Sequence, residues 1–132
     1  MKGTHMNNNH DTFSFSGRIR SSAHALQGLL ELLKSQHNAW IEATATVCVI
    51  AAGLFFGVTA TQWCLLVLAI SMVWAAEALN TAIEFLCDVT SPEFHPLVKK
   101  SKDVAAAAVL LSVIGAAIVG LIIFIPYAIA FL

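Results

Sequence analysis

Charge is scarce in this sequence. Only 11% of its 132 residues are Asp, Glu, Lys or Arg, where an ordinary soluble domain carries about 25%. No Asp, Glu, Lys, Arg or His occurs from Ala43 to Ala76, and none from Val104 to Leu132. Too little polar surface remains to cover a water-soluble globule of this size. Cysteine is also sparse, and Cys48, Cys64 and Cys87 form no CxxC pair; this argues against zinc and disulfide frameworks and leaves them as small apolar residues. There is no P-loop and no protein-kinase glycine loop. The N-terminus has no apolar core segment and no small-residue cleavage site, so nothing there reads as a signal peptide. Residues 1–14 read as a disordered leader, with MKGTHM set aside as an expression remnant.

What the sequence does have is long apolar runs. A membrane-crossing helix needs roughly 20 apolar residues, and the runs here provide for three. The stretch GLFFGVTATQW, with Gly53, Gly57, Thr59, Thr61 and Gln62, breaks the first long run in two. Spans are expected over about 40–57, 62–86 and 105–131, with Trp63 at an interface. Ahead of them, Ile19, Ala23, Leu26, Leu30 and Leu33 recur at spacings of three and four. That pattern predicts an amphipathic helix over 15–36 lying along the membrane surface. A polar loop is expected over 88–103. Within it, Thr90 and Glu93 stand at capping-box spacing, and Pro96 suits the first turn of the following helix. The expected fold is an all-α membrane protein: a surface helix followed by three transmembrane helices in one domain over 15–132.

Every basic residue (Lys2, Arg18, Arg20, Lys34, Lys99, Lys100 and Lys102) precedes the first span or lies between the second and third. The positive-inside rule therefore puts the N-terminus and the second loop in the cytoplasm.

At the inward end of the second span stands EALNTAIEFLCD. On a helix, Glu77, Asn80, Glu84 and Asp88 share one face. An acid within a span is costly and calls for a function. Glu77 lies deepest, about 10 Å along the helix from Glu84. Glu93, His95, Lys102 and Asp103 follow. Carboxylates at two depths, an amide, a lysine and a histidine suit phosphoryl transfer. Magnesium takes one or two carboxylates together with phosphate oxygens, a lysine offsets phosphate charge, and a carboxylate can take the proton of an acceptor hydroxyl. A nucleotide would arrive from the cytoplasm and meet Glu84 first; a lipid alcohol would arrive through the bilayer and meet Glu77. Two bland readings stand beside this one: Glu77 as a residue hydrogen-bonded between helices, and Glu84 and Asp88 as solvated charges at a helix end.

The segment EALNTAIEFLCDVTSPEFHPLVKKSKDVAAAAVLL resembles the signature of the small prokaryotic integral-membrane lipid kinases, the diacylglycerol kinase and undecaprenol kinase family. The pattern ExxNxAIExxxD, then an E-[YF]-H triplet, then KD followed by small residues, carries the resemblance. It implies a homotrimer with active sites shared between subunits, in the bacterial inner membrane. It implies MgATP as phosphoryl donor and a membrane lipid alcohol as acceptor; no nucleic-acid partner is expected. By this resemblance Glu77 is the general base, Asn80 lies near the transferred phosphate, and Glu84 is a metal ligand that also serves the nucleotide. Glu93, Phe94, His95, Lys102 and Asp103 match nucleotide-binding positions, Lys102 on the phosphates, and Asp88 is a loop acid beside them. Gln36 stands where the family often has a second metal-binding glutamate. Arg18 sits one residue from the position of a family arginine, and His24 takes the place of an aromatic residue near the nucleotide. Two other functions compete: a carrier using Glu77 as an intramembrane ion or proton site, and a degenerate member that only binds lipid.

Overall fold

The computed structural model describes residues 15–35 and 37–131; the expectations for the leader and for Gln36 fall outside them. Among the described residues four helices follow one another: α1 (Phe15–Ser35), α2 (His37–Phe56), α3 (Ala60–Thr90) and α4 (Pro96–Phe131). The last three contain windows long and apolar enough to cross a membrane. Their apolar side chains point outward as well as inward: Leu54, Phe55, Leu68, Met72, Leu111 and Ile122 are all exposed. That is stable only where the surrounding solvent is hydrocarbon. The described chain is therefore an all-α membrane protein with an amphipathic first helix. Along α1, Ile19, Leu26 and Leu30 stay exposed, while Leu32 near its end is buried.

The turn between α2 and α3 is shorter than the polar cluster in the sequence suggests. Gly57 has φ 64, a left-handed conformation that glycine adopts without a Cβ penalty. The Val58 N–H then reaches back to the Gly53 carbonyl at 3.2 Å, closing α2 in a Schellman motif. Immediately after it, Thr59 caps α3. Its hydroxyl accepts from the Gln62 N–H, and its own N–H donates to Gln62 Oε1 at 2.8 Å. This capping box satisfies two helix-end donors where hydrocarbon offers them nothing. Gln62 Oε1 also accepts from the Tyr127 hydroxyl at 2.8 Å, which ties the far end of α4 to this corner. Val58, Leu66 and Ile123 form the buried cluster beneath it, with Phe56, Trp63, Phe124 and Tyr127 around it.

Trp63, expected at an interface, lies in the first turn of α3 and lays its ring on Gly53. A Cβ built on Gly53 would stand 2.7 Å from Trp63 Cη2, so α2 and the indole close to a distance only glycine permits. Gly53→Ala is expected to destabilise the fold by about 1–3 kcal/mol through overpacking. Thermal unfolding of the detergent-solubilised protein measures this; an unchanged midpoint would show that the ring shifts freely.

At the opposite end, the expected loop over 88–103 is mostly helix. α3 continues through Thr90, and a link of 91–95 leads to α4. The capping box expected from Thr90 and Glu93 does not form. Thr90 is still helical, and its hydroxyl donates to the Leu86 carbonyl at 2.8 Å. Pro92, just beyond, cannot continue the helix. The start of α4 is set instead by Pro96 in its first turn and by His95, whose Nδ1 accepts the Leu97 N–H at 3.2 Å. With 36 residues, α4 is about 54 Å long, against a hydrocarbon core of roughly 30 Å. Its first turns, with Lys99, Lys100, Lys102 and Asp103, thus project past the core and stay wet.

α3 and α4 pack along most of their length, whereas α2 touches α3 sparsely. A groove of about 860 Å³ opens between α2 and α4, floored by α3.

Candidate active site

Among the described residues, Glu77 is the largest fully buried side chain, at 1% exposure. It sits on α3, and neither of its carboxylate oxygens has a hydrogen-bond partner. Asn80, one turn on, is buried as well. Its amide N–H donates to Glu84 Oε1 at 3.3 Å, leaving Asn80 Oδ1 buried and unpaired. Glu77, Asn80 and Glu84, three of the four residues that the spacing assigned to one face, form a ladder from the apolar interior toward the charged end. A buried polar atom without a partner costs about 1–3 kcal/mol. Three such oxygens on neighbouring turns are a strain that a bound cation or hydroxyl would relieve.

A third acid, missed in the sequence, joins them. Glu42 lies on α2, half-buried, with Oε2 unpaired. It lines the groove together with Asn38, Thr46, Glu77 and Asn80, close enough to Glu77 for the two to interact electrostatically. The groove is otherwise apolar, lined by Val49, Val109, Val113 and Phe124 among others. One end thus presents acids and amides, and the remainder is shaped for hydrocarbon.

The charged end is arranged around Lys102. Its ammonium lies 2.6 Å from Asp88 Oδ1, joining the start of α4 to the end of α3. Both side chains are substantially exposed, so the pair contributes little to stability; what it does is hold the lysine over the end of α3, beyond Glu84. Asp103 is turned to Lys99 on its own helix at 2.7 Å. Glu93, Phe94 and His95 are exposed in the link or at its end, Phe94 at 81%. On α1, Arg18 and His24 are also exposed, and His24 Nδ1 pairs with Gln27 Oε1 on the same helix at 3.3 Å. The structure thus gathers Glu77, Asn80 and Glu84 in one ladder and Asp88 with Lys102 at its foot, with Arg18 and His24 on the exposed surface of a separate helix.

The outer oxygens of the ladder suit a hard divalent cation such as magnesium: the carboxylate of Glu84 and the amide oxygen of Asn80. No three His, Cys, Asp or Glu converge into a protein cage among the described residues. A cation here would complete its shell with water and phosphate oxygens, as magnesium does beside nucleotides.

Comparison with known proteins places the chain among membrane lipid kinases. A family model described as prokaryotic diacylglycerol kinase matches residues 23–124. The chain is 35% identical over 108 residues to an undecaprenol kinase of Bacillus subtilis (strain 168), covering 82% of this chain and 88% of that protein. A diacylglycerol kinase of Escherichia coli (strain K12) is 30% identical over 108 residues, with the same coverage of 82% and 88%. A diacylglycerol kinase of Helicobacter pylori (strain 26695) is 40% identical over 83 residues, covering 58% of this chain and 65% of that protein.

Proposed function

Because the chain belongs to the prokaryotic diacylglycerol kinase family, we propose that it phosphorylates its lipid alcohol at the Glu77–Glu84 ladder, with Glu77 as general base. It is a membrane lipid kinase, carrying the terminal phosphoryl group of ATP to a lipid hydroxyl. The observation behind the residue assignment is the buried, unpartnered Glu77 carboxylate at the polar end of an apolar groove.

The hydroxyl of a lipid lying in the groove comes to Glu77. Glu77 takes the hydroxyl proton as the oxygen forms its bond to the γ-phosphorus, the bond from that phosphorus to the β–γ bridging oxygen breaks, and ADP leaves. Glu42 lies across the groove from Glu77 and borders the space in which the hydroxyl meets the base. Asn80 holds Glu84 by its N–H and offers its free oxygen toward the transferred group. Lys102 places its positive charge where the phosphates enter, exchanging Asp88 for phosphate oxygens. Glu93, Phe94, His95 and Asp103, at the α3–α4 link and the start of α4, contact the nucleotide. Glu84, with Asn80 as neighbour, would hold magnesium, which would supply positive charge to offset that of the phosphates. Gln36 is a second ligand candidate, and Arg18 and His24 reach the nucleotide only if α1 approaches the charged end of α3.

By charge distribution the site faces the cytoplasm from the bacterial inner membrane. The exposed faces of α3 and α4 leave room for neighbouring copies, consistent with a homotrimer. The acceptor is diacylglycerol or undecaprenol, with a lean to undecaprenol from the loop DVTSPEFHPLVKKSKDVAA. In mixed micelles with labelled ATP, turnover is expected with at least one of these two lipids and is expected to vanish when EDTA removes magnesium. No turnover with any lipid alcohol would remove this reading.

A further inference from the structure

Along α3, moving toward the charged end, Trp63, Trp74 and Glu77 meet Gly53, Thr46 and Glu42 of α2 in reverse order. Trp63 packs on Gly53. Trp74 Nε1 donates to Thr46 Oγ1 at 3.1 Å. Glu77 and Glu42 share the groove. The three meetings describe one antiparallel register. Trp74 stands one helical turn from Glu77, and Thr46 one turn from Glu42. Since α2 touches α3 sparsely while α3 and α4 pack extensively, and the close packing of α2 is concentrated at its Gly53–Phe56 end, packing does little to place the Glu42 end of α2. A directed hydrogen bond within hydrocarbon places it better, because an indole N–H deprived of its acceptor there has no water to turn to.

We propose that the Thr46–Trp74 hydrogen bond is the clip that sets α2 against α3, so that Glu42 is held opposite Glu77; Thr46 and Trp74 are positioning residues for the acceptor side of phosphoryl transfer. The proposal rests on the reading of Glu77 as the base. Sliding α2 by one residue moves Glu42 by about 1.5 Å along the axis and swings it by about 100°. Misplacement on that scale costs about tenfold to a hundredfold in rate. The nucleotide contacts on α3, α4 and their link (Glu84, Glu93, His95, Lys102 and Asp103) stay in place when the clip is lost.

The test uses the full chain in mixed micelles, with Thr46→Val, Thr46→Ser, Trp74→Phe and the Thr46→Val/Trp74→Phe pair. Valine replaces the hydroxyl by a methyl of similar volume, which suits a membrane helix. Thr46→Val and Trp74→Phe are each expected to lower kcat about tenfold with KM for MgATP within twofold, and the pair no further than either alone. Thr46→Ser keeps the acceptor and is expected to stay within twofold of the parent. The Trp74 indole N–H resonance is expected to move in Thr46→Val and not in Thr46→Ser. If Trp74→Phe does not fold, the two Thr46 variants decide. A kcat within twofold of the parent in Thr46→Val, or a Thr46→Ser as impaired as Thr46→Val, overturns the clip. Glu77→Gln, assayed alongside, separates the two levels: if it retains turnover, the base assignment falls and the clip with it; if it loses turnover while Thr46→Val does not, only the clip falls.

Discussion

Glu77→Gln is expected to lower kcat by about three orders of magnitude, within the range of a lost general base, while leaving the protein folded. The two expectations pull apart because of where Glu77 sits. Its carboxylate is fully buried with no hydrogen-bond partner. Removing a charge from such a place removes a cost rather than a support. Glutamine has nearly the same shape and cannot take a proton from the acceptor. Thermal unfolding should therefore show a midpoint equal to or above that of the parent, together with near-complete loss of lipid phosphorylation. A loss of both fold and turnover would mean that Glu77 holds helices together, which is the bland reading of a buried acid. Retained turnover would remove it from the chemistry altogether.

The second large effect is expected at Lys102. Lys102→Ala should reduce kcat/KM for MgATP by about a hundredfold or more, the scale of losing one preorganised electrostatic partner of a charged transition state. The substitution breaks only an exposed ion pair with Asp88, so stability should change by less than about 1 kcal/mol. It also distinguishes a kinase from a carrier built around Glu77. A carrier that binds an ion or proton within the membrane has no use for an ammonium at the far end of the ladder, and its transport would persist in Lys102→Ala. Glu77→Gln cannot make that distinction, because both machines need the buried acid.

The helical plan was legible because hydrocarbon imposes strict terms. A run without charge that is long enough to cross must be a helix, and a polar break within it must be a turn. The Glu77, Asn80 and Glu84 face was legible too, since spacings of three and four on one helix need no tertiary information. The capping box at Thr90 was misread because the pattern is local and helix propagation is not: α3 ran on until Pro92 lay ahead of it. The expected loop was overlong for a related reason. Lys99, Lys100, Lys102 and Asp103 read as loop by their charge, yet Lys99 and Asp103 are four apart and pair along one helix.

Glu42 escaped for the opposite reason. It has no acidic companion at helical spacing on α2, so no pattern on its own element marks it. The mark was elsewhere: Glu42 and Glu77 bound the charge-free run Ala43–Ala76 at its two ends. Folding that run back on itself at Gly57 sets the two boundaries opposite one another. Reading the run as a hairpin rather than as two separate spans would have paired them.

The bond from Tyr127 to Gln62 joins residues that leave the ribosome far apart in time. A nascent chain holding only the first two spans already has Thr59 and Gln62 to finish their corner, but it lacks the phenol and the Ile123 and Phe124 side chains that roof it. The corner can therefore mature only after the last helix has been threaded through the bilayer. A chain shortened before Tyr127 would expose an unfinished corner in the membrane, the kind of blemish by which quality-control proteases could tell a partial product from a complete one.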